Sequence, residues 1–470
     1  MTHGSGPYTL GIDLGVSGAR AAVVDLDANV AGGGRVARPA RPGSGIGPHD
    51  PGQWVADVLA AARAAIAEAA VPRVEAIAVA ALGPAPVLVD ASLHSIAPSC
   101  LLSLDPRLEE QRIRLLTAHG LEAADVPPGH PIPQLLWWQE HAAAAWGRAA
   151  MVLDATGFLV SALTGVPTMD TVTALDYSVP GLPCPAPHPE ATDPSKIAGG
   201  LAKGPAADLG LPAGTPVAVG SYDSYIDLAR MGTHQPGDAC ILLGSTQVVG
   251  QVANPTVAVP ADSALRCTPH LGAGQLIGGW TSAAGLTLDW CASVLGSGLE
   301  DTWGAVADIR PGTGGLLALP YLAGERAPVW DARARGAIVG LTVHTSRLEI
   351  CRAILDAVAL STRDLTERLR QILPPPADWR VGGGGVRNRV WLQATADAVG
   401  SPLMVIDEPG GVAAAAHAFA AIAATPMRPP ETFRVAADES QTRRYSLLYE
   451  PYRGLYGGLT AAMHALAHID

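Results

Sequence analysis

Residues 220–232, GSYDSYIDLARMG, place a carboxylate directly after GTPVAVG, an apolar run that is typical of a buried strand. Asp223 stands where this strand would end and a helix would begin. A carboxylate at such a point can accept the proton of a substrate hydroxyl. It can equally cap the helix by accepting a backbone N–H, which contributes about 1 kcal/mol. The residues alone leave both interpretations open. Asp227, one helical turn later, is interpreted as solvated or structural.

Two turns rich in glycine and hydroxyl side chains occur about half a chain apart. In YTLGIDLGVSGARAAVVDL an apolar run passes through Asp13 to a turn at 15–18, and in GDACILLGSTQVVGQV a similar run stops at 244–246. Each pattern predicts a β-hairpin whose turn could lie against a phosphate, because glycine lets the backbone approach closely. Most such turns bind nothing, so each alone is a weak signal. Their repetition predicts a duplicated architecture with a ligand between the halves.

Four consecutive glycines, 382–385, follow a short predicted strand at 379–381 and precede a helix predicted from about Asn388. Glycine is costly in conformational entropy, so the fold must need a backbone without side chains there. The N-terminus of the helix would offer N–H groups to an anion or to an adenine ring edge. A nucleotide site and a tight structural turn both remain open. The segment is not the fingerprint of a Rossmann site, which belongs in a first βα turn.

Composition limits the partners and the compartment. The chain has 470 residues, enough for two or more domains, and its formal net charge of −12 argues against a nucleic-acid binder. Its six cysteines form no CxxC pair and no zinc-like cluster. No uninterrupted apolar run is long enough to span a membrane, and the N-terminus lacks a signal pattern. Neither of its lysines, Lys196 and Lys203, follows a glycine, which excludes a Walker A loop. We therefore expect a cytoplasmic protein that binds a small molecule.

The segments between these motifs alternate between helical and strand patterns. Asp50 and Pro51 begin an alanine-rich helix, VEAIAVAALG predicts a buried strand, and residues 346–373 predict a long amphipathic helix. IPQLLWWQEHAAAAWGRA and DATGFLVSALTG predict further helices. These patterns indicate a mixed α/β protein with two lobes.

Together these motifs resemble the FGGY family of carbohydrate kinases, over nearly the whole chain, and the layout is most similar to that of the xylulokinases. The segments that carry the resemblance are GIDLGVSGARAAVVD, GPHDPGQW, PVAVGSYDSYIDLARMG, ILLGSTQ, YLAGERAPVWDARARGAIVGLTVHTSRLEICRAILDAVA and GGGGVRNRVWLQATADAVGSPLMVIDEPGGVAAAAHAFAA. The long fifth segment is the most specific of them.

The resemblance implies an α/β fold of two actin-like (ribonuclease H-like) ATPase domains with a cleft between them. Residues 1–232 would form the N-terminal domain, with sugar binding, the first phosphate hairpin and the catalytic aspartate. Residues 233–470 would form the C-terminal domain, with the second phosphate hairpin and adenosine binding. ATP and Mg²⁺ are the implied cofactors, and the implied partner is a small sugar or polyol rather than nucleic acid or a membrane. Homodimers are common in the family, and these residues indicate no interface.

The resemblance also implies roles for individual residues. Asp223 would be the general base, and Asp13 and Asp223 would hold Mg²⁺. The residues implied to contact ATP are Gly15, Ser17, Arg20, Gly244, Ser245, Thr246, Gly285, Gly384, Gly385 and Asn388. The candidate sugar contacts are Ser103, Asp105, Arg107, Tyr222, Ser224 and Tyr225, of which Tyr225 is also a candidate core residue.

The sugar side departs from the pattern of the xylulokinases. Residues 81–86, ALGPAP, replace the usual Gly-Gln-Met-His, Ser103 replaces a Trp, and Ser224 replaces an Asn, while Val16 replaces a frequent Thr near the phosphates. A site whose buried polar groups change loses its discrimination between hydroxyl patterns. We therefore expect either a ketose such as a pentulose or, on the same fold, a polyol or a sugar acid. A nucleotide-binding pseudokinase is a further alternative, although such a protein would gain nothing from keeping both Asp13 and Asp223.

Overall fold

The structure is a computed structural model that describes residues 7–38, 48–71, 73–100, 106–122, 125–270, 274–295, 299–408, 411–422 and 427–466. Among these residues, no helix has the length and apolar character needed to cross a membrane. The strands are β1 (Thr9–Gly15), β2 (Gly18–Val24), β3 (Val30–Ala37), β4 (Pro48–His49), β5 (Ala76–Ala81), β6 (Pro86–Val89), β7 (Ser99–Cys100), β8 (Met151–Asp154), β9 (Met169–Asp170), β10 (Ala191–Thr192), β11 (Ile197–Gly200), β12 (Pro216–Ala218), β13 (Ser221–Tyr222), β14 (Ala239–Leu243), β15 (Gln247–Ala253), β16 (Arg266–Pro269), β17 (Gln275–Thr281), β18 (Leu317–Leu319), β19 (Ala337–Val339), β20 (Trp379–Gly382), β21 (Leu403–Ile406) and β22 (Thr432–Val435). The helices are α1 (Pro51–Ala69), α2 (Pro106–His119), α3 (Pro131–His141), α4 (Ala143–Trp146), α5 (Ala155–Thr164), α6 (Thr173–Asp176), α7 (Lys203–Leu209), α8 (Asp223–Arg230), α9 (Gly285–Leu295), α10 (Leu299–Val306), α11 (Arg347–Arg370), α12 (Arg389–Val399), α13 (Val412–Ile422) and α14 (Glu439–Leu466).

The first compact unit comprises Met1–Gly232 and Glu408–Pro430. Its main sheet has the order β11-β12-β5-β1-β2-β3, and β13 also pairs with β5. β1 runs antiparallel to β2, as the first predicted hairpin requires, and parallel to β5. Helix α1 begins where Asp50 and Pro51 predict, since the Asp50 carboxylate accepts the N–H of Gly52. It buries Trp54 and a row of alanines in the core of this unit.

The second unit comprises Thr233–Asp407 and Glu431–Asp470. Its main sheet has the order β16-β17-β15-β14-β20-β21-β22, in which β14 and β15 form the second predicted hairpin and β14, β20 and β21 are parallel. Strands β17-β15-β14-β20-β21 repeat the arrangement of β3-β2-β1-β5-β12, with antiparallel strands leading into parallel ones. The predicted duplication is therefore confirmed at the level of strand order. Helix α11 is the long predicted helix, and a capping box formed by Ser346 and Glu349 defines its start.

One assignment from sequence needs correction. The resemblance places residues 408–430 in the C-terminal domain, but the first unit includes the range Glu408–Pro430, of which 408, 411–422 and 427–430 are described. The reason is that α13 packs against β1, where Thr9 donates its hydroxyl to the carbonyl of Ala415 at 2.8 Å. Gly11 of β1 permits this close approach, because a Cβ there would lie 2.0 Å from the carbonyl oxygen of Gly411.

Gly11→Ala is therefore expected to destabilise the first unit, because the neighbouring atoms are backbone and cannot rotate away. Overpacking of this kind typically costs about 1–3 kcal/mol. Urea unfolding followed by circular dichroism measures the effect as a lower transition midpoint. Gly33→Ala is the matched control, since the nearest atom to a Cβ there is Glu68 Oε2 at 3.9 Å. Equal midpoints for the two variants would contradict the prediction.

Candidate functional site

The candidate site in the first unit lies at the carboxyl ends of adjacent parallel strands. Asp13 of β1 pairs in register with Ala80 of β5, and Ser221 of β13 pairs with the same Ala80 from the other side. Since the strands are parallel, their carboxyl ends meet at one edge of the sheet, which is where α/β sheets bind ligands. The sheet thus brings Asp13 and the start of α8 to a common place, although 210 positions separate Asp13 from Asp223.

Asp223 is the first residue of α8, and the residue in the cap position is Tyr222. Asp223 Oδ1 accepts the N–H of Ser224 at 2.6 Å, so the carboxylate pairs one of the N–H groups that have no partner within the helix at its start. Burial, followed by the negative charge of Asp13, raises the pKa of Asp223 to about 7, while the Ser224 N–H and Arg20 act in the opposite direction. A carboxyl group with a pKa near 7 is well matched to accepting a proton at neutral pH.

Arg20 supplies the positive charge beside these carboxylates. It lies opposite Asp13 across the hairpin, and its Nε is 3.3 Å from Asp13 Oδ2. Burial raises the pKa of Asp13, and Arg20 opposes this shift. Gly15 leaves room for the guanidinium, because a Cβ at that position would lie 3.0 Å from Arg20 Nη2. About a third of the Arg20 side chain is exposed, so it is accessible to an anionic ligand.

Asp227 is the residue that sequence reasoning undervalued. Burial raises its pKa well above the usual value, and the charges of Asp13 and Asp223 raise it further. Asp227 therefore lies within electrostatic reach of Asp13 and Asp223 and is not simply solvated. Its position four residues after Asp223 was the available signal, because residues at that spacing share a face of a helix.

In the second unit, the turn of the β14–β15 hairpin is bonded to the start of α9. Gly285 donates its N–H to the carbonyl of Gly244 at 3.1 Å, and Leu286 donates to the carbonyl of Ser245 at 3.0 Å. Within the turn, Gly244 donates to the carbonyl of Thr246 at 2.9 Å. A Cβ on Gly285 would lie 2.6 Å from the Gly244 carbonyl oxygen, so glycine is required for this approach. Two of the predicted ATP contacts, the hairpin turn and Gly285, are thus held together by backbone hydrogen bonds.

The four-glycine segment continues into a 3-10 turn, Gly384–Arg387, between β20 and α12. A Cβ on Gly385 would lie 2.3 Å from the ring of Trp391, so packing explains this glycine, whereas the nearest atom to a Cβ on Gly384 is Arg387 Nη2 at 3.4 Å. Asn388 caps α12 by accepting the N–H of Trp391 at 3.1 Å. The tight structural turn is therefore present, and contact with adenosine stays a prediction.

The candidate sugar contacts occupy different environments. Ser103 and Asp105 lie outside the described residues. Arg107 is exposed on α2, with its guanidinium carbon 4.9 Å from the ring centroid of Trp137. Ser224 is half-buried, and Tyr225 lies in the core with 4% exposure.

Tyr222 is built into the region where the sequence departs from the xylulokinases. Its ring lies so close to Gly83 that a Cβ on Gly83 would be 2.0 Å from Tyr222 Cε1. Its hydroxyl donates to Asp176 Oδ2 at 3.2 Å. The ring of Tyr222, the residue that precedes Asp223, thus occupies the space that a side chain at position 83 would need.

The carboxylates fit a magnesium ion bound together with phosphates. The charge of Asp13 raises the pKa of Asp223, and the charges of Asp13 and Asp223 raise the pKa of Asp227, so a bound cation would relieve this repulsion. Among the described residues, no group of three or more His, Cys, Asp or Glu side chains is arranged to hold a metal by itself. Mg²⁺ usually binds proteins through one or two carboxylates together with water and substrate phosphates, and Asp13 and Asp223 are carboxylates of this kind.

Sequence profiles of one family match most of the chain. Residues 8–178 match the N-terminal domain of the FGGY family of carbohydrate kinases, and residues 244–424 match its C-terminal domain. Among curated proteins, the xylulose kinase of Klebsiella pneumoniae is 28% identical over 416 residues, which cover 84% of this chain and 85% of that protein. The xylulose kinase of Bacillus subtilis is 24% identical over 493 residues, with 96% of each chain covered.

Solved structures agree with these matches. The xylulose kinase of Rhodospirillum rubrum has a TM-score of 0.80 and 26% identity, covering 97% of this chain and 100% of its own. The gluconate kinase of Lactobacillus acidophilus has a TM-score of 0.84 and 19% identity, covering 98% of this chain and 100% of its own, and this likeness concerns the fold alone.

Proposed function

The chain belongs to the FGGY family of carbohydrate kinases and is an ATP-dependent sugar kinase, and from this premise we propose that it phosphorylates a pentulose with Asp223 as the general base. Xylulose kinases that are similar over nearly their whole length support the pentulose. The observation that supports the assignment of the base is that Asp13 of β1 and Asp223, which directly follows β13, stand on either side of β5, and that the charge of Asp13 raises the pKa of Asp223.

Phosphoryl transfer needs positioning and charge neutralisation more than covalent chemistry, because its transition state is loose. Asp223 would accept the proton of the attacking hydroxyl as the oxygen bonds to the γ-phosphorus of ATP and the bond from that phosphorus to the bridging oxygen breaks, with ADP as the leaving group. Arg20 and the two glycine-rich hairpin turns would contact the phosphates, and Gly384 would lie near the adenosine. Asp13 and Asp223 would hold the magnesium ion, which supplies charge neutralisation at the phosphates.

A cytoplasmic location is part of the proposal. Among the described residues, the thiols of Cys184, Cys240, Cys267, Cys291 and Cys351 are free. Free thiols are typical of proteins in reducing compartments, whereas secreted proteins generally pair theirs.

An ADP-release assay over pentuloses, hexuloses, pentitols, tetritols, glycerol and gluconate tests the acceptor. We expect a pentulose to give the highest kcat/KM. A higher kcat/KM for gluconate or a polyol would mean that the acceptor is not a pentulose, while the protein would still be a kinase. Gluconate is included because of a partial match to the gluconokinase of Bacillus subtilis, which is 26% identical over 213 residues. If no acceptor raised ADP release above the ATPase background, the proposed function would be wrong.

Gly285→Ala is expected to raise the KM for ATP roughly tenfold, because the added Cβ displaces the turn at 244–246 from its place at the start of α9. The KM for the sugar should stay unchanged, since the first unit carries the candidate sugar contacts. Steady-state kinetics with each substrate varied in turn separates the two effects. Gly304→Ala is the control, since a Cβ on this residue of α10 meets nothing within 4 Å. An unchanged KM for ATP would remove this turn from the proposed nucleotide site.

A further inference from the structure

Arg230, the last residue of α8, holds its guanidinium among three acceptor atoms. Its Nε donates to Glu408 Oε2 at 2.9 Å, and its Nη2 donates to Glu408 Oε1 at 2.6 Å, so the pair is bidentate. Its Nη1 donates to the backbone carbonyl of Arg428 at 2.7 Å. The side chain of Arg230 is only 7% exposed. Bidentate pairing fixes the orientation of both partners as well as their separation.

The partners of Arg230 lie where the chain passes between the two compact units. The chain crosses from one unit to the other at three points, or passages, which follow positions 232, 407 and 430. Arg230 stands two residues before the first passage, Glu408 directly follows the second, and Arg428 stands two residues before the third. One guanidinium therefore ties together, within the first unit, the segments through which that unit joins the other.

The same helix carries the proposed base at its opposite end. Asp223, Asp227 and Arg230 stand at positions i, i+4 and i+7 of α8, so they lie along one face of the helix. A helix of eight residues is a rigid rod of about 12 Å. A change in the connecting segments that moves Arg230 must therefore also move or tilt the end that holds Asp223.

We propose that Arg230 is a positioning residue that couples the segments joining the two units to the placement of Asp223. The coupling itself is independent of the acceptor, but its effect on turnover rests on the proposed role of Asp223. Kinases commonly close around their substrates, and residues at the hinge, away from the reacting atoms, then change kcat and KM together. The bidentate pair suits this role because its two hydrogen bonds fix the orientation of Arg230 relative to Glu408, whereas a single hydrogen bond would let the side chains rotate.

The first experiment compares Arg230→Met with Arg230→Lys. We expect Arg230→Met to lower kcat/KM for the sugar about 10- to 100-fold. Arg230→Lys keeps the charge without the bidentate geometry and should fall between Arg230→Met and the wild type. Glu408→Gln and the double variant Arg230→Met/Glu408→Gln keep the test possible if the half-buried Glu408, left without its partner, prevents Arg230→Met from folding.

Hydrogen exchange gives a readout that needs no acceptor. In the wild type we expect Mg²⁺ with a non-hydrolysable ATP analogue to slow amide exchange in peptides covering 228–234, 403–408 and 427–432. We expect Arg230→Met to raise exchange in these peptides and to abolish that slowing. If the wild type phosphorylated no acceptor, the proposed function would fail while this measurement still decided the coupling.

Arg368→Met is the matched control, because Arg368 likewise donates to a carboxylate, Asp364 Oδ2 at 2.9 Å, and to a backbone carbonyl, that of Ser263 at 3.0 Å. It lies far along the chain from every passage between the units. We expect its kcat/KM to stay within about twofold of the wild type. Arg230→Met with exchange and kcat/KM equal to those of Arg368→Met would overturn the proposal.

Discussion

Asp223→Asn should lower kcat roughly 10²- to 10⁴-fold, the usual contribution of a positioned general base. Asparagine has the same shape and can still accept the N–H of Ser224 through its oxygen, so the start of α8 is preserved. What the variant loses is the ability to take a proton from the acceptor hydroxyl. The loss should therefore appear mainly in kcat, and the KM for ATP should rise to a smaller extent, because an amide oxygen is a weaker ligand for the proposed magnesium ion than a carboxylate.

Single-turnover and steady-state measurements on the best acceptor check this expectation. Asp208→Asn in α7 makes the same chemical change at an exposed position and should behave as the wild type. Thermal unfolding of both variants shows whether a loss of activity merely reflects a loss of fold. Full activity of Asp223→Asn would mean that Asp223 only supports the helix start, and the family assignment would survive.

Local patterns predicted the parts of the fold that depend on local interactions. Both hairpins, the start of α1 at Asp50 and the long helix α11 follow from turn residues, capping residues and periodicity, and the structure confirms them. The single helix predicted from IPQLLWWQEHAAAAWGRA is instead two, α3 and α4, which meet at Ala142. The backbone of Ala142 is not helical there, and nothing in an alanine-rich sequence marks such a break.

Contacts between distant parts of the chain could not be predicted in this way. The return of 408–430 to the first unit depends on Gly11 facing α13, and these partners are about 400 residues apart. The same holds for Asp227. Its helical spacing from Asp223 was visible, but its proximity to Asp13 follows from the pairing of β1, β5 and β13. The resemblance to the FGGY family indicated the candidate residues, and the pairing of β1 and β13 with β5 explains why Asp13 and Asp223 lie at the same edge of the sheet.

The activity is expected to decrease as the pH is lowered below neutrality, because Asp223 must be ionised to accept a proton. Its pKa, raised to about 7 by burial and by Asp13, places the acid limb of kcat/KM for ATP near pH 7, since this parameter reports the enzyme before nucleotide binds. Below the limb, kcat/KM should fall about tenfold per pH unit, as one proton blocks the base. A profile that stays flat down to pH 5 would contradict the base assignment.

Arg20→Met should move this limb to higher pH. Arg20 lies 3.3 Å from Asp13 and lowers the pKa values of both Asp13 and Asp223, so without it the buried pair retains its proton at a higher pH. The variant also loses a proposed phosphate contact, which lowers kcat/KM at every pH but does not move the limb. The position of the limb, fitted separately from its height, therefore isolates the electrostatic effect. A limb that stayed in place while the rate fell would show that Arg20 acts on the phosphates alone and leaves the ionisation of Asp223 unchanged.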